Sequence, residues 1–123
     1  MNPIVRKLTP VVVVDAIEPA LPTWRALGYE PVAEVPHGDA LGFVLLAGPA
    51  GELMLQTRDS VREDLGVEPP AVALYADVSD LDAAAAAVSD AEVVIARRTT
   101  PYGATERWIR DGAGTLVGFA VHG

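Results

Sequence analysis

One βαβββ pattern runs through this chain twice. Residues 8–60 and 70–123 each read as a strand, a helix opened by an aspartate, and three further strands. The first copy has a strand over 8–14, then Asp15 and a helical run to Leu27; the second has a strand over 71–78, then Asp80 and a run to Val88. Repetition at this scale constrains the fold before any single residue does. The expected fold class is α+β: two paired βαβββ modules whose curled mixed sheets form a cup, and a cup implies a ligand.

A chain of 123 residues is one domain's worth, and with half of them apolar a substantial core can be buried. Module one is expected over about 1–60, a linker over about 61–70 and module two over about 71–123. The net charge of −8 speaks against a nucleic-acid or anionic-membrane partner, because phosphate binding draws on clustered Lys and Arg. With no cysteine, disulfides, zinc-thiolate sites and thiol nucleophiles are excluded together. Arg6 and Lys7 precede an apolar run at 11–14 that is too short for a signal peptide and is stopped by Asp15, so a cytoplasmic protein is expected.

The β-branched run 9–14 suits a strand covered on both faces. Asp15 with Glu18 three residues on predicts a capping box. Ile17, Leu21, Trp24 and Leu27 then share one helical face, which assigns Trp24 to the core. Pro22 should kink this helix or move its start, and Gly28 fits a left-handed residue at its end. Strands follow over 31–35, 40–47 and 52–57. Residues 58–70, polar from Arg58 and closing on Pro69-Pro70, read as the linking segment. In module two, Asp80 caps a helix holding the alanine run 83–87, which suits close packing on a sheet. Strands over 91–97, 104–110 and 115–121 complete it, the last two joined by the turn Asp111-Gly112-Ala113-Gly114. A βαββαβ ferredoxin-like dimer is the rival fold, but it would place only two strands between the helices.

The paired modules, Trp24-Arg25-Ala26-Leu27-Gly28 at the first helix end, Pro101-Tyr102-Gly103 before a strand, and Asp111-Gly112-Ala113-Gly114 followed by Leu116-Val117-Gly118-Phe119 resemble the glyoxalase, bleomycin-resistance and extradiol-dioxygenase superfamily, the vicinal oxygen chelate proteins. The resemblance covers nearly the whole chain. It implies two modules curled around a pocket, usually in a homodimer, but no single reaction. It also implies metal ligands on the first and last strand of each module, positions that here fall on Thr9 (or Leu8), Glu52, Ala73 and Gly118. Of these only Glu52 is a good ligand, and one carboxylate does not hold a divalent ion against water. His122 shares a strand face with Gly118 and His37 falls in a turn, so no metal and no cofactor is expected.

Strand parity turns Glu52, Met54 and Gln56 into the cup, with Val11, Val13 and Thr9, with Tyr75 and Ala73, and with Leu116, Gly118 and Ala120. The hollow is mostly apolar with a few polar points, as small-molecule sites are. Glu52 could serve there as general acid or base, hold a cation, or merely pair with Arg107. Trp108 is either a stacking platform or a packed side chain, and parity leaves open whether Glu106, Trp108 and Arg110 or Thr105, Arg107 and Ile109 face the cup. Tyr102 in its loop is a pocket-rim residue. The expected ligand-binding set is Thr9, Glu52, Met54, Gln56, Tyr75, Tyr102, Trp108 and Gly118. The leading expectation is a metal-independent protein that binds an apolar or cationic small molecule in the cup of a homodimer. The alternatives are a metal-free lyase or isomerase using Glu52, and a non-catalytic dimeric regulatory or assembly domain.

Overall fold

Two four-stranded mixed sheets carry the chain, in a computed structural model that describes residues 9–66, 68, 69, 71–101 and 103–122. The first sheet is built from β1 (Val11–Val14), β2 (Glu30–His37), β3 (Ala40–Gly48) and β4 (Gly51–Thr57), in the order β1-β4-β3-β2. The second repeats it with β5 (Leu74–Asp77), β6 (Glu92–Thr99), β7 (Ala104–Arg110) and β8 (Leu116–His122), in the order β5-β8-β7-β6. In each, the first strand runs parallel to the last and the remaining pairs are antiparallel. The repeat in the sequence is therefore a repeat in topology, and the two-strand spacing of the ferredoxin-like alternative is not observed.

The first helix departs from expectation at its start. Glu18–Ala20 form a 3-10 turn and α1 covers only Leu21–Ala26, because Pro19 and Pro22 each remove an amide donor from the opening turns. The capping box does not form. Asp15 instead accepts from Arg58 Nε at 2.8 Å, and Glu18 accepts the Leu41 backbone N–H at 2.8 Å. The predicted apolar face survives: Ile17, Leu21 and Trp24 are buried and Leu27 packs against them. Gly28, at φ +95°, ends the helix in the left-handed region. The cap at Asp80 forms as expected, its carboxylate accepting from Ala83 N at 3.1 Å to open α3 (Leu81–Ala87).

A second correction concerns the segment after β4. Residues Arg58–Leu65, expected as linker, form a helix, α2. Thr57 caps it through its hydroxyl to Ser60 N at 3.2 Å, Gly66 ends it at φ +68°, and Val61 buries its apolar side. The polar surface that suggested a linker is the outward face of this helix.

One apolar core joins the modules. Val12, Val14, Val44, Leu46, Leu53 and Leu55 enter it from the first sheet; Ile109, Val117 and Phe119 enter from the second; Trp24, Leu81 and Val88 enter from the helical segments. A polar tie crosses the same boundary. Trp24 Nε1 donates to Asp111 Oδ2 at 3.1 Å, while Asp111 Oδ1 accepts from Ala113 N and Thr115 N and so closes its own turn. Gly112 in that turn lies against Pro19 so closely that a Cβ there would stand 1.8 Å from the Pro19 carbonyl oxygen.

Candidate functional site

Each sheet turns one face to the shared core, and among the described residues the opposite face is only partly covered. On β4, Leu53, Leu55 and Thr57 are buried while Glu52, Met54 and Gln56 are only half-buried, and these three lie opposite Ala47, Leu45 and Phe43 of β3. They lie on the face opposite the shared core. Val11 pairs with Met54 in the parallel ladder, and Thr9 stands half-buried just before β1. The first open face is thus apolar at its centre, with Glu52 at one end and Gln56 at the other, where Gln56 Nε2 donates to Ser60 Oγ at 3.0 Å. Beside Gln56 and Phe43 a cavity of about 530 Å³ opens toward His37, Ser60 and Glu63, with His37 3.6 Å from Glu63.

The second open face is aromatic around one buried acid. Tyr75, Gly118 and Trp108 stand in one row across β5, β8 and β7; Asp77, Ala120 and Glu106 stand in the next. The face of β7 that sequence left undecided is therefore settled: Glu106 and Trp108 share the open face, whereas Ile109 points into the core. Arg107 lies on the opposite face from Glu106 and donates to the Ala96 carbonyl at 3.1 Å.

Glu106 is fully buried on this face. Its Oε2 accepts from Tyr75 Oη at 2.5 Å, and its Oε1 accepts from Arg98 Nε at 2.8 Å and Trp108 Nε1 at 3.0 Å. Arginine and indole can only donate, so Oε1 is held as an acceptor. A buried carboxylate without such partners would be strongly destabilising, and this net removes that penalty while fixing Tyr75, Arg98 and Trp108 relative to one another. The Arg98 guanidinium carbon lies 5.9 Å from the Trp108 ring centre; Tyr75 lies 5.9 Å from Trp108 and 6.2 Å from His122, edge-on to the imidazole.

The structure thus places Glu52, Met54 and Gln56 on one sheet, with Thr9 just before its first strand, and Tyr75, Trp108 and Gly118 on the other. Tyr102 lies outside the described residues. Sequence reasoning missed Arg98, because it ended that strand at Arg97, and it gave Glu106 no role; neither carries a local signal, since their pairing is made across a bulged ladder.

The positions at which the resemblance implies metal ligands do not fit a metal. Ala73 offers no donor. Gly118 offers none either, and the space its side chain would occupy is filled: a Cβ there would come within 2.7 Å of the Trp108 indole. Among the described residues, no group of three or more His, Asp or Glu side chains converges on a point that could hold an ion. Nor, among them, is any helix long and apolar enough to cross a membrane.

Solved structures share this fold over nearly the whole chain. A glyoxalase/bleomycin resistance protein/dioxygenase from Nocardioides superposes with a TM-score of 0.73 at 18% identity, covering 98% of this chain and 86% of that one. A lactoylglutathione lyase from Agrobacterium tumefaciens gives 0.72 at 19% identity, covering 97% and 96%. A glyoxylase/bleomycin resistance protein/dioxygenase domain from Frankia sp. EAN1pec gives 0.72 at 14%, covering 98% and 94%. This chain has the vicinal oxygen chelate fold. No protein-family model and no curated protein matches its sequence. At such identities the vicinal oxygen chelate likeness speaks for architecture alone, and the chemistry has to come from the two open faces.

Proposed function

We propose that this protein binds a small apolar molecule between its open sheet faces, without a metal ion. One observation carries the reading: where the fold's resemblance implies a metal-ligating side chain on β8, Gly118 lies under the Trp108 indole, so an aromatic surface takes the place of a donor. Phe43, Leu45 and Met54 on one sheet and Tyr75 and Trp108 on the other supply apolar walls, with polar groups at a few fixed points, the usual composition of a ligand site.

The same faces support a homodimer. Both sheets use their other side for the common core, so a single chain leaves Val11 40% and Tyr75 47% exposed. A second copy that sets the first sheet of one chain over the second sheet of the other would turn two open faces into a cup and cover these residues.

Tryptophan fluorescence tests the site directly. Trp24 is buried in the core and Trp108 lies on the open face, so a neutral aromatic probe such as 2-naphthylmethanol should quench or shift the emission of wild type and leave Trp108→Phe nearly silent. An unchanged response in Trp108→Phe would place the ligand elsewhere. Steady consumption of a substrate by wild type but not by Glu52→Gln would replace binding by catalysis.

A further inference from the structure

Arg98 is held in a way that the binding reading alone does not require. Its Nε is tied to the fully buried Glu106, its guanidinium lies over the Trp108 ring, and 48% of its side chain remains exposed. Among the described residues, no side chain or carbonyl accepts from its two Nη groups. A half-exposed guanidinium fixed at Nε and backed by an indole has already lost much of the rotamer freedom that a carboxylate would otherwise have to freeze. Its planar fork matches the two oxygens of a carboxylate, and the neighbouring Trp108 and Tyr75 rings match a flat apolar body beside that group.

We propose that the ligand is a planar, largely aromatic molecule bearing one carboxylate, which Arg98 holds through its Nη groups while Glu106 acts as the positioning residue beneath it. This rests on the open faces being the ligand site. It replaces the cationic half of the sequence expectation. The one acid at the centre of this face is fully buried and already accepts from three donors, and a cation over Trp108 would meet the Arg98 charge. Asp77, in the same row as Glu106, keeps the neighbourhood from being net positive. Recognition therefore comes from short charge-assisted hydrogen bonds rather than from a long-range field, and its salt dependence is weak.

Three probes that share one ring system separate the possibilities: 2-naphthoate, 2-naphthylmethanol and 2-naphthylmethylammonium, titrated calorimetrically into wild type, Arg98→Gln, Arg98→Lys and Glu106→Gln. Wild type is expected to bind the naphthoate about tenfold or more tightly than the alcohol, as one charge-assisted pair implies. Arg98→Gln should erase that preference. Arg98→Lys should restore only part of it, since a point charge cannot form the fork. Glu106→Gln should weaken naphthoate more than the alcohol, because the fork loses its anchor. Equal binding of all three probes to wild type would overturn the proposal and leave the ligand site standing, and this arm needs no variant to fold. Preference for the ammonium would also overturn it. Failure of every probe to bind would sink the site itself.

Discussion

Trp108 packs so closely on Gly118 that a Cβ at residue 118 would stand 2.7 Å from the indole ring. The contact seats an aromatic ring at a position where the resemblance implies a metal-ligating side chain. It makes Gly118→Ala informative. The ring must move, so the variant should lose about 1–3 kcal/mol of stability from overpacking. The near-ultraviolet circular dichroism of Trp108 should change with it. Wild-type stability and an unaltered tryptophan signal in Gly118→Ala would show that the indole is not seated there.

The tie between Trp24 and Asp111 should matter more than its single hydrogen bond suggests. Asp111 is buried and also accepts from Ala113 N and Thr115 N, so Asp111→Ala strands three donors at the junction of the modules. A loss of about 3 kcal/mol or more is expected in urea denaturation, with Asp111→Asn closer to wild type because it keeps one oxygen. Equal losses in the two variants would contradict this assignment.

Thr57 sets the start of the helix that was expected to be a linker. Thr57→Ala removes the acceptor for Ser60 N, and about 1 kcal/mol should be lost. Faster amide exchange confined to Arg58–Leu65 would locate the effect in α2. Unchanged exchange in that segment would mean the cap contributes nothing.

Glu18 couples stability to pH. The Leu41 amide that it accepts, and then its own backbone N–H, hold its carboxyl below the usual carboxylate value of 4.5, against a smaller opposing push from desolvation. A carboxyl depressed in the folded state adds stability above its unfolded pKa, and that contribution fades as pH falls through the folded value. Wild type should therefore melt above Glu18→Gln at pH 7, and the gap should close on acidification below about pH 4.5. A gap that is constant from neutral to acid pH would contradict the linkage.

How much of the fold is legible in the sequence follows from how local each signal is. Alternation of Leu53 and Leu55 with Glu52, Met54 and Gln56 needs only the two-residue period of a strand, and the structure buries the two leucines. Ile17, Leu21 and Trp24 needed only helical spacing. The misread elements were decided at a distance or by a competing local rule. Asp15 had an arginine 43 residues away to pair with, Glu18 had the Leu41 amide 23 residues away, and two prolines had already spoiled the turn that both would have capped. In α2, the mostly polar composition of an exposed helix masked a threonine cap and a terminal glycine that were present all along. Arg98 and Glu106 were invisible as a pair because bulges in the β6–β7 ladder bring them into register.

The most direct test is a calorimetric titration of 2-naphthoate into protein stripped with EDTA, repeated after Zn²⁺, Ni²⁺ or Fe²⁺ is restored. Metal-free binding by the open faces predicts the same affinity in all four titrations. Binding that appears only once an ion is returned would contradict it.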